Sequence, residues 1–215
     1  MVLPFLGQSV LNQKTLDAIL GTQYDGLPWS ECEHLGLQSV PYLIKALQGP
    51  SRFTGNSVVC LGVLGDPKAV KPLEEFLEAG TGVLSPAQYL SKTSVLWALG
   101  AIINQSGDDA DGGLQYIIEG LEPSAWSHRL RWSTPYNDTA DERNLQLARA
   151  SMQALGLAAT PKALHAIQGY KCERAPCELD DVKADALQTC RAINDIAKKH
   201  PHKGRSLRVY YEQTQ

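Results

Sequence analysis

Val59-Cys60-Leu61-Gly62-Val63-Leu64-Gly65-Asp66-Pro67-Lys68-Ala69-Val70-Lys71-Pro72-Leu73 contains two helices and the turn between them. Val58, Leu61 and Val63-Leu64 give the first helix an apolar side, and Gly65-Asp66-Pro67 stops it. Asp66 is placed to cap the next helix, and Pro67 takes its first position, where the missing N–H is not needed. Ala69, Val70, Leu73, Phe76 and Leu77 form the second apolar stripe. This unit, 52–79, recurs along the chain. Cys60-Leu61-Gly62, Ala98-Leu99-Gly100 and Ala154-Leu155-Gly156 each read as the end of an apolar helix. A recurring helix pair buries its stripe on the next pair, which predicts an all-α chain built as an α-solenoid.

Working outward, Ser85-Pro86 starts a helix through Val95, Leu99, Ile102 and Ile103; after a break at Ser106-Gly107-Asp108-Asp109, Leu114, Ile117, Ile118 and Leu121 follow at i, i+3, i+4, i+7. The third pair has Leu145, Ala148, Met152 and Leu155, then Thr160-Pro161 in the place of Asp66-Pro67, then Leu164, Ile167 and Tyr170. Upstream, Val40, Leu43, Ile44 and Leu47 suit a second-type helix, with Leu16, Ile19 and Leu20 in its shorter partner. Downstream, Asp180-Asp181 opens a helix through Val182, Ala186, Cys190, Ile193 and Ala197. The predicted organisation is one domain over 1–215: an atypical N-terminal cap at 1–36, repeats at 37–171, a capping helix at 181–199 and a tail at 200–215. Only Leu207-Arg208-Val209-Tyr210-Tyr211 looks strand-like.

The chain has 215 residues, 43% of them hydrophobic, which suffices for a packed core. A net charge of −3 weighs against a general nucleic-acid binder. Five cysteines, with Cys32, Cys60 and Cys190 in apolar or helical surroundings, suit reduced thiols better than a disulfide framework. The first seven residues, Met1 to Gly7, lack a basic region and a long apolar core, and no stretch approaches the ~20 apolar residues of a membrane span. A cytoplasmic protein is expected.

The segment Val59 to Leu73 resembles a HEAT repeat of the short bacterial kind shared with phycobilin-lyase-like proteins; the resemblance extends to 86–121 and 143–171. It implies a right-handed solenoid of about four helical pairs plus a terminal capping helix. It also implies that second helices, at 38–48, 67–79, 110–121 and 161–171, line a concave face. Their exposed stripes are Gln38, Tyr42 and Lys45; Lys71, Glu75 and Glu78; Gln115 and Glu119; and His165 and Gln168. These form either a groove docking a protein segment or an ordinary solvated face.

Two connections exceed simple turns: 21–36, with Tyr24, Trp29, Cys32 and His34, and 122–141, with Trp126, His128, Arg129, Arg131, Trp132 and Tyr136. Aromatic and arginine residues anchor interfaces, so the second is a candidate binding loop; alternatively it folds back, with both tryptophans filling a gap in the stack. The two connections leave opposite edges and should not form one site. The second shares its edge with 172–180, which places Cys172 and Cys177 near His128 and His165, a set that matches no structural zinc spacing. Between Lys92 and Arg129 five acidic residues stand without lysine or arginine, and Lys198, Lys199, Lys203, Arg205 and Arg208 cluster at the other end. Helix-dipole matching and a solvated terminus account for both.

No nucleophile–base set, phosphate-cradling loop or metal motif is present, so a non-catalytic interaction scaffold without cofactor, holding a protein or peptide, is the expected function. Among enzymes the resemblance evokes, di-iron hydroxylases need repeated His-Glu dipeptides, and Glu33-His34 is reversed. A lyase-like protein would hold a small ligand or chromophore with Trp126, His128, Arg129 and Trp132. A HEAT-like DNA glycosylase would need a basic concave face, against which Glu75, Glu78 and Glu119 argue. Exposed solenoid ends could also pair two copies.

Overall fold

In a computed structural model, which describes residues 13–22, 27–49, 51–171, 178–199 and 205–214, the described residues form twelve helices and one pair of short strands. The helices are α1 (Gln13–Gly21), α2 (Trp29–Leu35), α3 (Val40–Ala46), α4 (Ser51–Leu64), α5 (Val70–Glu78), α6 (Pro86–Ser106), α7 (Asp111–Glu119), α8 (Pro123–Arg129), α9 (Ala140–Ala158), α10 (Pro161–Gly169), α11 (Asp180–Lys199) and α12 (Arg205–Thr214). The strands β1 (Gly82–Val83) and β2 (Trp132–Ser133) pair in parallel. The chain is all-α.

The long helices α4, α6, α9 and α11 pack on one another in chain order. Shorter helices sit against them: α3 on α4, α5 on α6, α7 on α6 and α9, and α10 on α9 and α11. Local chemistry starts these elements where the sequence placed them. Asp66 accepts a hydrogen bond from the Lys68 N–H (2.9 Å), and a 3₁₀ turn, Pro67–Ala69, leads into α5. Ser85 and Gln88 form a reciprocal capping box at α6, as do Thr139 and Glu142 at α9. Thr160 caps α10 through the Ala163 N–H (3.1 Å).

The repeated Leu-Gly does something other than end a helix. Gly62, Gly100 and Gly156 lie inside α4, α6 and α9, at the points where successive long helices cross. A methyl group on Gly62 would stand 2.9 Å from Ala98 Cα, one on Gly100 2.6 Å from the Ala154 carbonyl, and one on Gly156 2.9 Å from Ala186 Cα. Glycine costs a helix roughly 1 kcal/mol, and the close backbone approach offsets it. Cys60, Ala98, Ala154 and Ala186 are thus equivalent positions, each two residues before Gly62, Gly100, Gly156 and Gln188. Gln188 is exposed, and with it the series ends.

At the other end, Cys60 receives Cys32 of α2 in a disulfide. This corrects the expectation of reduced thiols at these two positions and removes its support for a cytoplasmic address. The pairing has a tertiary cause: α2 is seated on α4, which brings Cα atoms 28 residues apart in sequence to 4.9 Å. Cys190 is free and buried; Cys172 and Cys177 lie outside the described residues. No helix among the described residues is long and apolar enough to cross a membrane.

The long helices α4, α6 and α11 also satisfy carbonyls at the ends of helices packed against them, which have no partner within their own helix. Asn56 of α4 donates to Leu20 (2.9 Å) and Thr22 (2.7 Å), just past α1. Gln105 and Ser106 of α6 donate to Gly62 (2.9 Å) and Gly65 (2.6 Å) of α4's end. Asn104 and Asn194 clamp the end of α9 from opposite sides, at Ala158 (3.2 Å) and Ala159 (3.0 Å).

The segment that looked strand-like, Leu207 to Tyr211, is helical within α12. Leu207, Tyr210 and Tyr211 share one face at i, i+3 and i+4, and Arg208 pairs with Glu212 one turn on (2.8 Å). This part of the expected tail packs on α11 and reaches α2, where Arg208 meets Glu33 at 2.6 Å. Lys198 pairs with Asp195 (2.9 Å); Lys203 and the Arg205 side chain lie outside the described residues.

Candidate functional site

Helical periodicity puts Asp111, Leu114, Gln115 and Ile118 on one side of α7, and Pro161, Lys162, His165 and Ala166 on one side of α10. These two stripes line a groove of 760 Å³. α7 and α10 are both seated on α9, and the space between them is the groove. Leu114, Ile118 and Ala166 give it an apolar floor, and Gln115 and His165 are exposed at its rim. Lys162 donates to both carboxylate oxygens of Asp111 (2.9 and 2.7 Å), tying together the N-terminal ends of the two helices. Gln115 donates to Glu119 (3.0 Å) one turn along.

The neighbouring valley, between α5 and α7, is closed at its C-terminal end by the inserted segment. The guanidinium of Arg129, on α8, bonds Glu119 of α7 at 2.5 Å and lies 4.0 Å from Glu78 of α5. It stacks 4.1 Å from the centre of the Tyr116 ring and 5.2 Å from that of Trp126. Burial first, and the nearby Glu78 charge second, push the Tyr116 hydroxyl's pKa upward.

Trp126 and Trp132, which the sequence allows either as anchors of an interface or as fillers of the stack, are fully buried. An indole N–H needs an acceptor, and each finds a carbonyl that a helix end leaves free. Trp126 donates to Gly120 just past α7 (2.8 Å), and Trp132 to Leu77 in the last turn of α5 (2.8 Å). The segment is ordered by more than these bonds. Gly82 N–H reaches the Arg131 carbonyl (3.2 Å) and Leu84 N–H the Ser133 carbonyl (3.0 Å), which straps the chain to the loop after α5. Arg143 donates to the Trp132 carbonyl and to Asn144, whose amide bonds Ser127 (2.7 Å).

Lys92 of α6 completes this closed end. Only 5% exposed, its ammonium donates to the carbonyls of Phe76, Leu77 and Ala79 at the end of α5. Burial pulls its pKa down to about 8. Its charge also faces the rings of Phe76 (4.7 Å) and Trp132 (5.8 Å). Glu74, buried beside Lys71 (3.5 Å), has its pKa raised by burial, which Lys71 opposes. Sequence reading passed over Lys92, Arg143, Glu74, Asp111 and Lys162; the first two break an apolar helical pattern, which was the available signal.

The remaining expected residues are distributed. Lys45, Tyr42 and Gln38 are exposed at α3 and the turn before it, and Gln38 donates to Leu35 (2.7 Å). Lys71 and Glu75 are exposed on α5, and Glu78 is half-buried. Gln168 is exposed farther along α10. His128 and Arg131 are exposed on the insertion, where Arg131 donates to Ser127 (3.4 Å). The residues brought together are therefore Gln115 with His165, and Arg129 with Glu78, Glu119 and Trp126. Trp126, His128, Arg129 and Trp132 do not enclose a chromophore site, since both indoles are buried against cations and helix ends. Among the described residues no group of three or more His, Cys, Asp or Glu is gathered to hold a metal ion.

No protein-family model, curated protein or solved structure matches the chain.

Proposed function

We propose that this chain is a right-handed α-solenoid of about four HEAT-like helical pairs, with terminal caps, that acts as a non-catalytic scaffold. Its partner is a protein segment, held in the groove between α7 and α10. The observation that carries this reading is the groove itself: 760 Å³, with an apolar floor and polar groups at its rim and one end. Such a combination suits an extended or helical segment whose apolar side chains seat on Leu114, Ile118 and Ala166 while polar groups set its register. The row of long helices with shorter helices against it supports the solenoid reading, as do the Gly–Ala crossings.

A photo-crosslinking residue at Gln115 or His165, used in lysate of the native host, tests the proposal. The same protein fragment should be captured from both positions and lost in a folded Ile118→Arg variant. Capture from a control position at Gln188, unaffected by Ile118→Arg, together with none from the groove would overturn it.

A further inference from the structure

α12 packs on α11 and, with α6, α9 and α11, encloses a second cavity of 320 Å³. This is about ten times the ~30 Å³ that one water occupies in the liquid, and it falls at the lower end of ligand-site volumes of roughly 300–1,000 Å³. Three aromatic rings form part of its wall: Trp97 from α6, and Tyr210 and Tyr211 from α12. They stand at steep angles to one another. Trp97 and Tyr211 have centroids 6.3 Å apart and planes at 59°, and Tyr210 and Tyr211 are 5.5 Å apart at 75°. Hydrogen bonds hold the rings in place. The Trp97 indole N–H donates to the Tyr211 oxygen (2.7 Å), and the Tyr210 and Thr189 hydroxyls share a bond (3.2 Å). The described lining includes no lysine or arginine and a single carboxylate, Asp185. Asp185 is exposed, and among the described residues it has no ion-pair partner.

Aromatic faces carry negative electrostatic potential, and a carboxylate beside them adds a full charge. An anion is disfavoured by both. Thr93, Gln153, Thr189 and Thr214 add neutral acceptors to the wall, and the rings with the carboxylate favour a cation; methyl groups on its nitrogen let it lie against the ring faces with no donor left unpaired. We propose that the cavity beneath α12 binds a quaternary or N-methylated ammonium group, with Trp97, Tyr210 and Tyr211 as walls and Asp185 as counter-charge. Pre-positioned rings reduce the ordering cost of binding. The site is separate from the α7/α10 groove and does not depend on the scaffold reading.

Calorimetric titration of the full chain with choline, and with its neutral isostere 3,3-dimethylbutan-1-ol, tests the proposal. Choline should bind saturably at one site, and the isostere roughly tenfold more weakly, because only the charge differs. Asp185→Asn, at an exposed position where folding is not at stake, should weaken choline about threefold and leave the isostere unchanged. Tyr210→Leu, checked for native helicity, should also weaken choline. Parallel titrations with a trimethyllysine peptide against its unmodified form, and with phosphatidylcholine vesicles, identify whether a protein side chain or a lipid headgroup supplies the same group. Equal affinity for choline and the isostere would show an apolar cavity only and overturn the proposal. So would the absence of saturable choline binding to folded wild type.

Discussion

The two valleys on either side of α7 have opposite fates. Toward α5, the insertion after α7 fills the C-terminal end: Arg129 spans Glu78 and Glu119, while Trp126, Trp132 and Lys92 satisfy the carbonyls of both helix ends. Toward α10, none of the described residues fills the space, and they leave a 760 Å³ groove with one ion pair at its end. The same helix thus presents one face filled by its own chain and another that lines a groove. Large aromatic residues in the segment after α7 mark the closed face here, and smaller residues line the open one.

That contrast is broken most severely at Trp132. Trp132→Ala should cost about 4 kcal/mol, through the lost packing of a fully buried indole and the loss of its hydrogen bond to the Leu77 carbonyl, which keeps only the longer bond from Lys92. Denaturant unfolding measures it; a loss below about 1 kcal/mol would show that the closed end does not depend on the indole.

Next comes Lys92. Its folded-state pKa of about 8 lies below the ordinary 10.5, so between those values the unfolded chain holds more protons. Stability should therefore rise as pH increases from 8 to 9.5, by at most about 2 kcal/mol, and fall again as pH drops through 8. The buried Cys190 thiol, pushed upward by burial, opposes this rise as unfolded thiols ionise near pH 9. Tyr116 and Tyr211, raised chiefly by burial, do so once unfolded tyrosines ionise near pH 10, so the Lys92 contribution is read as the difference from the variant. Lys92→Met should flatten the rise between pH 8 and 9.5, and an unchanged slope would assign it to another group.

Arg129→Gln removes the bridge across the closed valley and should cost about 1.5 kcal/mol, since the guanidinium is largely shielded between two rings and a carboxylate. At the open valley, Asp111→Asn should change stability by less than about 0.5 kcal/mol, because both partners of its pair with Lys162 are more than half exposed. A loss comparable to that of Arg129→Gln would mean that the open groove also has a structural duty.

The sequence by itself determined nine of the twelve described helices, their order and most of their starts; α2 and α8 lie in stretches that read as connections, and α12 in one that read as a tail. Asp66-Pro67, Ser85-Pro86 and Thr160-Pro161 act on backbone N–H groups two or three residues away, and apolar periodicity is legible within a single helix. It also placed Gln115 and His165 on stripes that meet at one groove. Tertiary structure decided the rest, because each remaining feature depends on partners distant in the chain. Gly62, Gly100 and Gly156 look like stops until the crossing helix is present. Cys32 and Cys60 become a pair only when α2 rests on α4. Trp126 and Trp132 could anchor a partner or fill the interior; free carbonyls at the ends of α7 and α5 settle the matter, and Leu77 lies 55 residues from Trp132. A five-residue run of mixed propensity, Leu207 to Tyr211, becomes helical over a surface that α2, α6 and α11 supply together, with the Trp97–Tyr211 bond reaching across 114 residues. Short-range hydrogen bonds and periodicity are written locally, whereas burial and cross-chain pairing exist only once the helices have packed.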